Sequence, residues 1–255
     1  MIPGKPTWRV PAQWPLLLDD EAHVWRASLE QTPAEVERLT QPLSEDEKER
    51  AARFRFPRHR DHFIVARGLL RLIIGRYLQA PASSLVFSYG AYGKPELGGV
   101  FENCGLRFNL SHSHELVLCA LTRRRAIGVD VEGLRPDVVE EGVAERFFSA
   151  AEVKALRALP ERLQVEAFFN CWTRKEAYIK AIGEGLSHPL DQFDVSLVPG
   201  EPAALLGTRG DPWELERWAL FDLAPRDGYA AALAIEGRDM KIEYWDYLGN
   251  GIKSR

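Results

Sequence analysis

The sequence predicts an α+β fold made of two similar lobes, each with helices followed by a meander of strands. The chain has 255 residues, a length that suits one large domain or two small ones. Its residues are 45% hydrophobic and 27% charged, which is typical of a globular protein with a packed core. Because the order of helices and then strands occurs twice, we expect lobes at residues 1–128 and 129–255, related by a pseudo-twofold axis.

The first lobe begins with two helix signals. Ser44 and Glu47 have the spacing of a capping box, so a helix is expected to start at residue 45. Apolar residues then recur at helical spacing from Phe63 to Tyr77, and Pro81 ends this second helix. Short apolar runs bounded by Gly, Pro or Arg predict the strands Leu85–Ser88, Leu106–Leu110, Leu116–Leu121 and Ala126–Glu132.

The second lobe repeats this layout. Helices are predicted over Ala150–Leu159 and Arg162–Ile182, and Gly183 is expected to stop the second of them. The strands predicted to follow are Phe193–Val198, Trp213–Leu223, Tyr229–Ile235 and Lys241–Trp245. The residues that are candidates for catalysis or binding lie near the junction of the lobes, where ligand clefts commonly form.

Charge and composition exclude several classes of function. The 33 basic and 37 acidic side chains give a net charge of −4, which argues against a nucleic-acid-binding protein. No window approaches 18 consecutive apolar residues, so no transmembrane helix is predicted. The three cysteines lack any paired spacing, and the start of the chain lacks the apolar core of a signal peptide. We therefore expect a cytoplasmic protein without disulfides.

The first candidate motif is the predicted strand Ile127-Gly-Val-Asp-Val-Glu132. Strand alternation places Asp130 and Glu132 on one face, about 6.5–7 Å apart along the strand. Neighbouring carboxylates repel each other unless one is protonated or a cation lies between them. Mg²⁺ suits such a pair, because it takes one or two carboxylates and completes its shell with phosphate oxygens and water. The alternative is an ordinary solvated strand face.

The second motif lies on the long helix of the second lobe. Thr173, Glu176 and Lys180 fall on the border of its apolar stripe and are placed to project into a cleft. There Glu176 could complete a metal site or act as a base, and Lys180 could hold a phosphate. The alternative is a plain Glu–Lys pair on the helix surface, worth about 0.3–0.5 kcal/mol.

The third motif combines Tyr92-Gly-Lys-Pro95 with Phe108-Asn-Leu-Ser-His-Ser113. Gly93 permits close backbone approach, and Pro95 presents a flat apolar ring. Ser111 and His112, at the end of a strand, offer a hydroxyl and an imidazole to an anion. The alternative is a turn and the polar end of a strand. A Ser-His catalytic pair is disfavoured, because adjacent strand residues face opposite ways.

In this order and spacing the motifs resemble the Sfp-type 4′-phosphopantetheinyl transferases. The likeness runs from about residue 44 to Leu186 and includes the Trp-Thr-Arg-Lys-Glu-Ala-Tyr-Ile-Lys run at 172–180 with Gly-Glu-Gly-Leu after it. It implies the 4′-phosphopantetheinyl transferase fold of the two-lobed, monomeric branch, with the active site at the lobe junction. It also implies transfer of the phosphopantetheine arm of coenzyme A to a carrier-protein serine, which releases adenosine 3′,5′-bisphosphate.

The resemblance assigns roles to individual residues. Asp130, Glu132 and Glu176 would bind Mg²⁺ or Mn²⁺, and Glu176, Lys180 and Asp130 would be catalytic, with the base either Glu176 or a water beside it. Coenzyme A would be bound by Arg50, Gly93, Lys94, Pro95, Asn109, Leu110, Ser111, His112, Lys175 and Lys180. Some members carry a lysine where this chain has Glu47, so Arg53 or Arg67 is expected to share the 3′-phosphate contact with Arg50.

The expected partner is an apo acyl or peptidyl carrier protein, acidic around its serine. The Arg-rich helix or the Arg123–Arg125 turn would steer it, although arginines on a helix are also common as a solvated face. Two other functions stay open on the residues alone. Water could replace the serine in a metal-dependent nucleotide pyrophosphatase, or the chain could bind coenzyme A without catalysis.

Overall fold

The computed structural model describes residues 6–137 and 142–248, and it mixes helices with mainly antiparallel strands. Among these residues the α-helices are α1 Pro33–Thr40, α2 Glu45–Ala52, α3 Pro57–Leu78, α4 Val143–Phe147, α5 Ala150–Arg157, α6 Glu161–Ile182 and α7 Glu214–Arg217. The strands are β1 Glu21–Ser28, β2 Val86–Tyr89, β3 Pro95–Gly98, β4 Leu106–Ser113, β5 Leu116–Arg123, β6 Ile127–Gly133, β7 Phe193–Val195, β8 Leu205–Thr208, β9 Trp218–Asp222, β10 Tyr229–Glu236 and β11 Lys241–Asp246. The predicted α+β class is confirmed.

Two main sheets organise these strands. The first has the order β11-β1-β5-β4, and the second has the order β6-β10-β9. The hairpins β2-β3 and β7-β8 form two small separate sheets. The division at residue 128 and the pseudo-twofold relation stay predictions, and β11 crosses that division because it pairs in parallel with β1 of the first half.

Two predicted helix ends, each marked by a signal in neighbouring residues, are confirmed. The capping box at the start of α2 is present, with the Ser44 N–H donating to Glu47 Oε2 at 3.1 Å. Helix α6 ends as expected at Gly183, whose φ of 82° is left-handed and costs glycine little. Helix α3 begins at Pro57, six residues before the predicted apolar spacing, because Pro is well suited to the first turn of a helix. Within the described residues, none of the helices has the length and apolar character needed to cross a membrane.

The strand β6 is buried on both of its faces. Ile127, Val129 and Val131 pack in a cluster with Val24 and Leu118 of the first sheet, as their alternation predicts. The opposite face lies against helix α6, and there Gly128 is required by close approach. A Cβ at residue 128 would lie 2.1 Å from the Ala177 carbonyl oxygen. The strand and the helix are therefore held in direct backbone contact.

Candidate active site

The contact between β6 and α6 brings the predicted acidic residues towards the predicted lysine. Asp130 and Glu132 share the face of Gly128, since side chains alternate along a strand. Glu176 and Lys180 lie one turn apart on α6. The Lys180 ammonium donates to Asp130 Oδ1 at 2.6 Å, which joins the strand and helix motifs in one site.

A ladder of polar side chains joins β4 to β6 along this site. Alternate residues of β4 accept hydrogen bonds from alternate backbone N–H groups of β6: Asn109 Oδ1 from Val129 at 2.9 Å, Ser111 Oγ from Val131 at 3.4 Å and Ser113 Oγ from Gly133 at 3.2 Å. The ladder satisfies the free edge of β6, whose other edge pairs with β10. It therefore fixes the first sheet against the strand that carries the carboxylates.

The two serines of this ladder also orient the carboxylates. Ser111 donates to Asp130 Oδ1 and Ser113 donates to Glu132 Oε2, both at 2.8 Å. Lys180 donates to the Ser111 hydroxyl at 3.1 Å. Ser113 was not among the predicted site residues, although its place two residues after Ser111 on the same strand was a usable signal. The serines thus hold both carboxylates in defined orientations.

One oxygen of Asp130 has no partner. Asp130 is 3% exposed, and its Oδ2 atom is buried without a hydrogen bond to any described residue. A buried carboxylate oxygen in this state costs free energy unless a cation or donor arrives. The Oδ2 atom of Asp130 is therefore suited to accept a bond from a positive group.

The neighbouring carboxylates show the same excess of negative charge. Burial, and after it the charge of Asp130, raises the pKa of Glu176 to about 7. The same two causes in the same order raise the pKa of Glu132, despite its hydrogen bond from Ser113. Glu132 and Glu176 therefore both interact with the charge of Asp130 through space, and both would ionise more readily beside a divalent cation.

As the side chains stand, no group of three or more His, Cys, Asp or Glu residues within 6–137 and 142–248 is arranged to hold a metal ion. The contacts of the acids give a physical reason. Lys180 occupies Asp130 Oδ1, and Ser113 holds Glu132 Oε2. The unpartnered Oδ2 of Asp130 and the hard oxygen donors of all three acids fit Mg²⁺ or Mn²⁺.

The Gly93–Pro95 turn lies at the junction of the two halves. Gly93 has a φ of 78°, and its N–H donates to the Gly90 carbonyl at 2.9 Å. A cavity of about 330 Å³ beside this turn is lined by Lys94, Pro95 and Phe108, by Ile127 at the start of β6 and by Gly183 at the end of α6. The predicted nucleotide turn therefore borders a cavity next to β6 and the end of α6.

His112 extends the site towards helix α3. Burial lowers its pKa, and the positive charges of Lys180 and then His62 lower it further. His112 is therefore favoured as a neutral imidazole, within electrostatic range of the lysine that binds Asp130.

Two family models match the chain in tandem. The 4′-phosphopantetheinyl transferase superfamily matches residues 126–234, and the N-terminal region of 4′-phosphopantetheinyl transferases matches residues 25–123. The 4′-phosphopantetheinyl transferase HetI of Nostoc sp. is 43% identical over 231 residues, which cover 91% of this chain and 94% of that protein. The chain belongs to the 4′-phosphopantetheinyl transferase family.

Other relatives agree with this membership. A putative 4′-phosphopantetheinyl transferase of Synechocystis sp. is 33% identical over 82% of this chain and 85% of its own length. The 4′-phosphopantetheinyl transferase Sfp of Bacillus subtilis is 36% identical over 64% of this chain and 70% of its own length.

Lys175 does not lie with Lys180 in this 4′-phosphopantetheinyl transferase, and its expected role in binding coenzyme A needs correction. Its side chain is 0% exposed. The ammonium donates to the carbonyls of Leu190 at 2.6 Å and Phe193 at 2.5 Å, and it pairs with Glu152 at 2.8 Å. These three partners use all three N–H groups of a lysine. Lys175 therefore braces the second lobe, and no N–H is left for a phosphate.

Three more predicted coenzyme A residues have structural partners. Asn109 is buried in the ladder to β6, and Leu110 packs against the apolar clusters of the first half. The Lys94 ammonium binds backbone carbonyls rather than open solvent. Sequence alone did not show these contacts, since each partner comes from a distant part of the chain.

Arg67 lies in an ion-pair cluster with Glu47, and the 3′-phosphate contact expected of it stays a prediction. Arg67 donates twice to Glu47 Oε1, at 2.8 and 2.5 Å, and Arg71 donates to Glu47 Oε2 at 2.5 Å. Glu47 therefore holds Arg67 in a buried cluster. Arg50 lies on the surface with its guanidinium 5.2 Å from the Phe63 ring, and no described carboxylate pairs with it. Arg53 is exposed and lies 3.6 Å from Glu49.

The Arg123–Arg125 turn lies at the other end of β5 from the site. Ser111 pairs with Leu118, so Arg123 lies five residues further along, or roughly 17 Å at the strand rise. Arg123 donates to the Leu17 carbonyl, and Arg125 donates to the Glu236 carbonyl. These contacts brace the fold, and steering of a carrier by this turn stays a hypothesis.

The carboxylates predict how stability depends on pH when no divalent cation is added. The pKa of Glu176 is about 7 in the folded protein against an ordinary 4.5, so folding favours the protonated form. This stabilisation is complete below pH 4.5 and is lost as the pH rises through 7. We expect the Tm of the wild type in EDTA to fall relative to that of Glu176→Gln between pH 5.5 and 8 by several degrees, at about 2–4 °C per kcal/mol. The comparison with the variant is needed because buried His23, whose pKa is lowered to about 4, stabilises both proteins alike as the pH rises.

Magnesium should reverse most of this loss at pH 8 and little at pH 5.5. Thermal unfolding with and without Mg²⁺ at both pH values measures this reversal. Glu176→Gln should remove the part of the pH dependence of Tm that Glu176 causes. A Tm equally insensitive to pH in the wild type and in Glu176→Gln would contradict the electrostatic description of the site.

Proposed function

We propose that this enzyme transfers the 4′-phosphopantetheine arm of coenzyme A to a serine of an apo acyl or peptidyl carrier protein. Family membership supports the transfer, and the Asp130, Ser111 and Lys180 cluster supports a site for a diphosphate and its cation. The observation that carries the proposal is the buried Oδ2 atom of Asp130, which lacks a partner beside two further carboxylates.

In the proposed reaction the carrier serine oxygen forms a bond to the phosphorus that bears pantetheine. The bond from that phosphorus to the bridging oxygen breaks, and adenosine 3′,5′-bisphosphate leaves with the electron pair. The serine proton goes to Glu176 or to a water beside it; a cation in the site would lower the pKa of Glu176, so that its carboxylate would be ionised at neutral pH and able to accept a proton. General-base help of this kind is worth about 10²–10⁴-fold.

Asp130, Glu132 and Glu176 would hold Mg²⁺ or Mn²⁺. When bound, the ion would neutralise charge on the diphosphate oxygens. Lys180 would place its ammonium beside the same diphosphate oxygens. To do so, the ammonium must either divide its hydrogen bonds between the diphosphate and Asp130 or give up its bond to Asp130. Ser111 and Ser113 keep the two strand carboxylates oriented during this exchange. Most of the acceleration would then be electrostatic and positional.

Gly93 and Pro95 would line the adenine at the cleft between the lobes, and Arg50 and His112 would meet the 3′-phosphate. His112 supports this placement by its closeness to Lys180, and Arg50 by its lack of a carboxylate partner among the described residues. The proposed enzyme acts as a cytoplasmic monomer.

Intact-protein mass spectrometry tests the proposal. Apo acyl carrier protein and apo peptidyl carrier protein are incubated separately with enzyme, Mg²⁺ and coenzyme A. We expect one of them to gain one phosphopantetheine on its serine. Rapid release of adenosine 3′,5′-bisphosphate without any carrier would favour a pyrophosphatase, and coenzyme A binding without either product would favour a binding module.

A further inference from the structure

The side chain of Lys94 projects from the hairpin of β2 and β3, and its ammonium lies against strand β6 and the end of helix α6. It donates to the carbonyl oxygens of Lys180 at 2.6 Å, Ile127 at 3.1 Å and Ala181 at 3.2 Å. A lysine has three N–H donors and no acceptor, so these contacts use its full capacity. The side chain therefore connects the hairpin to two separate elements, strand β6 and helix α6.

Two of these carbonyls belong to the last turn of α6. The last four carbonyls of a helix have no partner within it, and they form the negative end of the helix dipole. Lys180 and Ala181 are the third- and second-last residues of α6, which ends at Ile182. The ammonium from the hairpin thus acts as a C-terminal cap provided by another part of the chain.

Burial lowers the pKa of Lys94 to about 8, which shows that placing the ammonium here is costly. A buried charged amine without hydrogen-bond partners would strongly destabilise the folded protein. Three hydrogen bonds and the helix end offset that cost. These contacts therefore favour a structural role for the Lys94 ammonium at the end of helix α6.

The carbonyl partners belong to the elements that carry the acidic site. Helix α6 provides Glu176 and Lys180, and Ile127 begins the strand that provides Asp130 and Glu132. We propose that Lys94 is a positioning residue, which fixes helix α6 and strand β6 relative to the Gly93–Pro95 turn. In this arrangement the carboxylates and Lys180 can contact the diphosphate. This rests on the proposed function, but the placement of the helix end can be measured without it.

The proposal differs from a direct role in binding coenzyme A. A lysine that contacts a ligand phosphate would need a free N–H, and all three N–H groups of Lys94 have protein partners. Loss of the ammonium should therefore change turnover more than affinity. Misplacement of catalytic groups by about 1 Å can cost on the order of 10²-fold in rate.

The decisive variant is Lys94→Met, which keeps most of the aliphatic stem and removes the donors. We expect kcat to fall about 10–100-fold, with the Kd for coenzyme A, from calorimetry without carrier, within about threefold. Amide hydrogen exchange at Ile182 and Gly183 should become at least tenfold faster, since the helix end loses its cap. The control is Lys154→Met, an exposed lysine on α5, which should change none of these values.

A weakened Kd with an unchanged kcat would overturn the proposal, because it would assign Lys94 to the ligand. A lower Tm with wild-type kcat measured well below it would also overturn it, because the role would then be stability alone. If Lys94→Met does not fold, Lys94→Arg is measured instead, with an expected fall in kcat of about tenfold or less. If the wild type transfers nothing, the proposed function fails, while hydrogen exchange still tests the cap.

Discussion

Replacing Glu176 by glutamine is expected to lower kcat by about 10²–10⁴-fold while the Kd for coenzyme A stays within several-fold. In the proposed reaction the carboxylate accepts the serine proton and shares a cation with Asp130, and the amide of glutamine keeps the shape without either property. Steady-state kinetics with saturating carrier and calorimetry with coenzyme A separate the two effects.

A matched control exists on the same helix. Glu166 is exposed on α6, so Glu166→Gln changes charge on that helix without touching the site. Its kcat should equal that of the wild type. Comparable activity in Glu176→Gln would remove Glu176 from the mechanism.

The second large effect is on stability. Glu47→Gln is expected to lower the free energy of unfolding by about 3–5 kcal/mol, because it leaves two buried guanidinium groups without a counter-charge. Glu47 is 3% exposed and Arg71 is 1% exposed. Burial opposes ionisation of Glu47, but the pKa of its carboxyl is lowered because Arg67 and Arg71 outweigh that effect.

Thermal unfolding should show this as a fall in Tm of roughly 6–20 °C. The control is Glu45→Gln on the same helix, whose side chain is 85% exposed and pairs with Lys48 at 2.8 Å. Such surface pairs contribute less than about 1 kcal/mol. Equal Tm values for the two variants would show that the buried cluster does not hold α2 on α3.

Two helix ends were predictable because their signals are local, whereas α1 was missed despite its N-cap Thr32, and the predicted strand Trp213–Leu223 was wrong over residues 214–217, which form α7. The capping box at Ser44 and the stop at Gly183 depend on residues within one turn, and both were found. Strand β1 was not predicted, because it lies between β11 and β5 and its residues are almost all buried, so no alternation marks it. The parallel pairing of β11 with β1 joins residues about 220 apart, and no local pattern indicates such a pairing.

The candidate site shows the same division. Asp130, Glu176 and Lys180 were chosen from spacing and resemblance: the strand and helix periods indicated the face of each residue, and the resemblance implied that they lie near one another. Lys175 and Lys94 are also lysines within motifs, but the direction of each side chain depends on carbonyls far along the chain. Whether a lysine faces a ligand or a buried carbonyl is decided by tertiary contacts.

The central claim is that Asp130, Glu132 and Glu176 together bind one divalent cation in the presence of coenzyme A. Electron paramagnetic resonance of Mn²⁺ measures this directly, since free and bound ions give different signals. The wild type with coenzyme A should bind one Mn²⁺ per chain, and Asp130→Asn should weaken that binding at least tenfold. Unchanged Mn²⁺ binding in Asp130→Asn, with the protein folded, would contradict the claim.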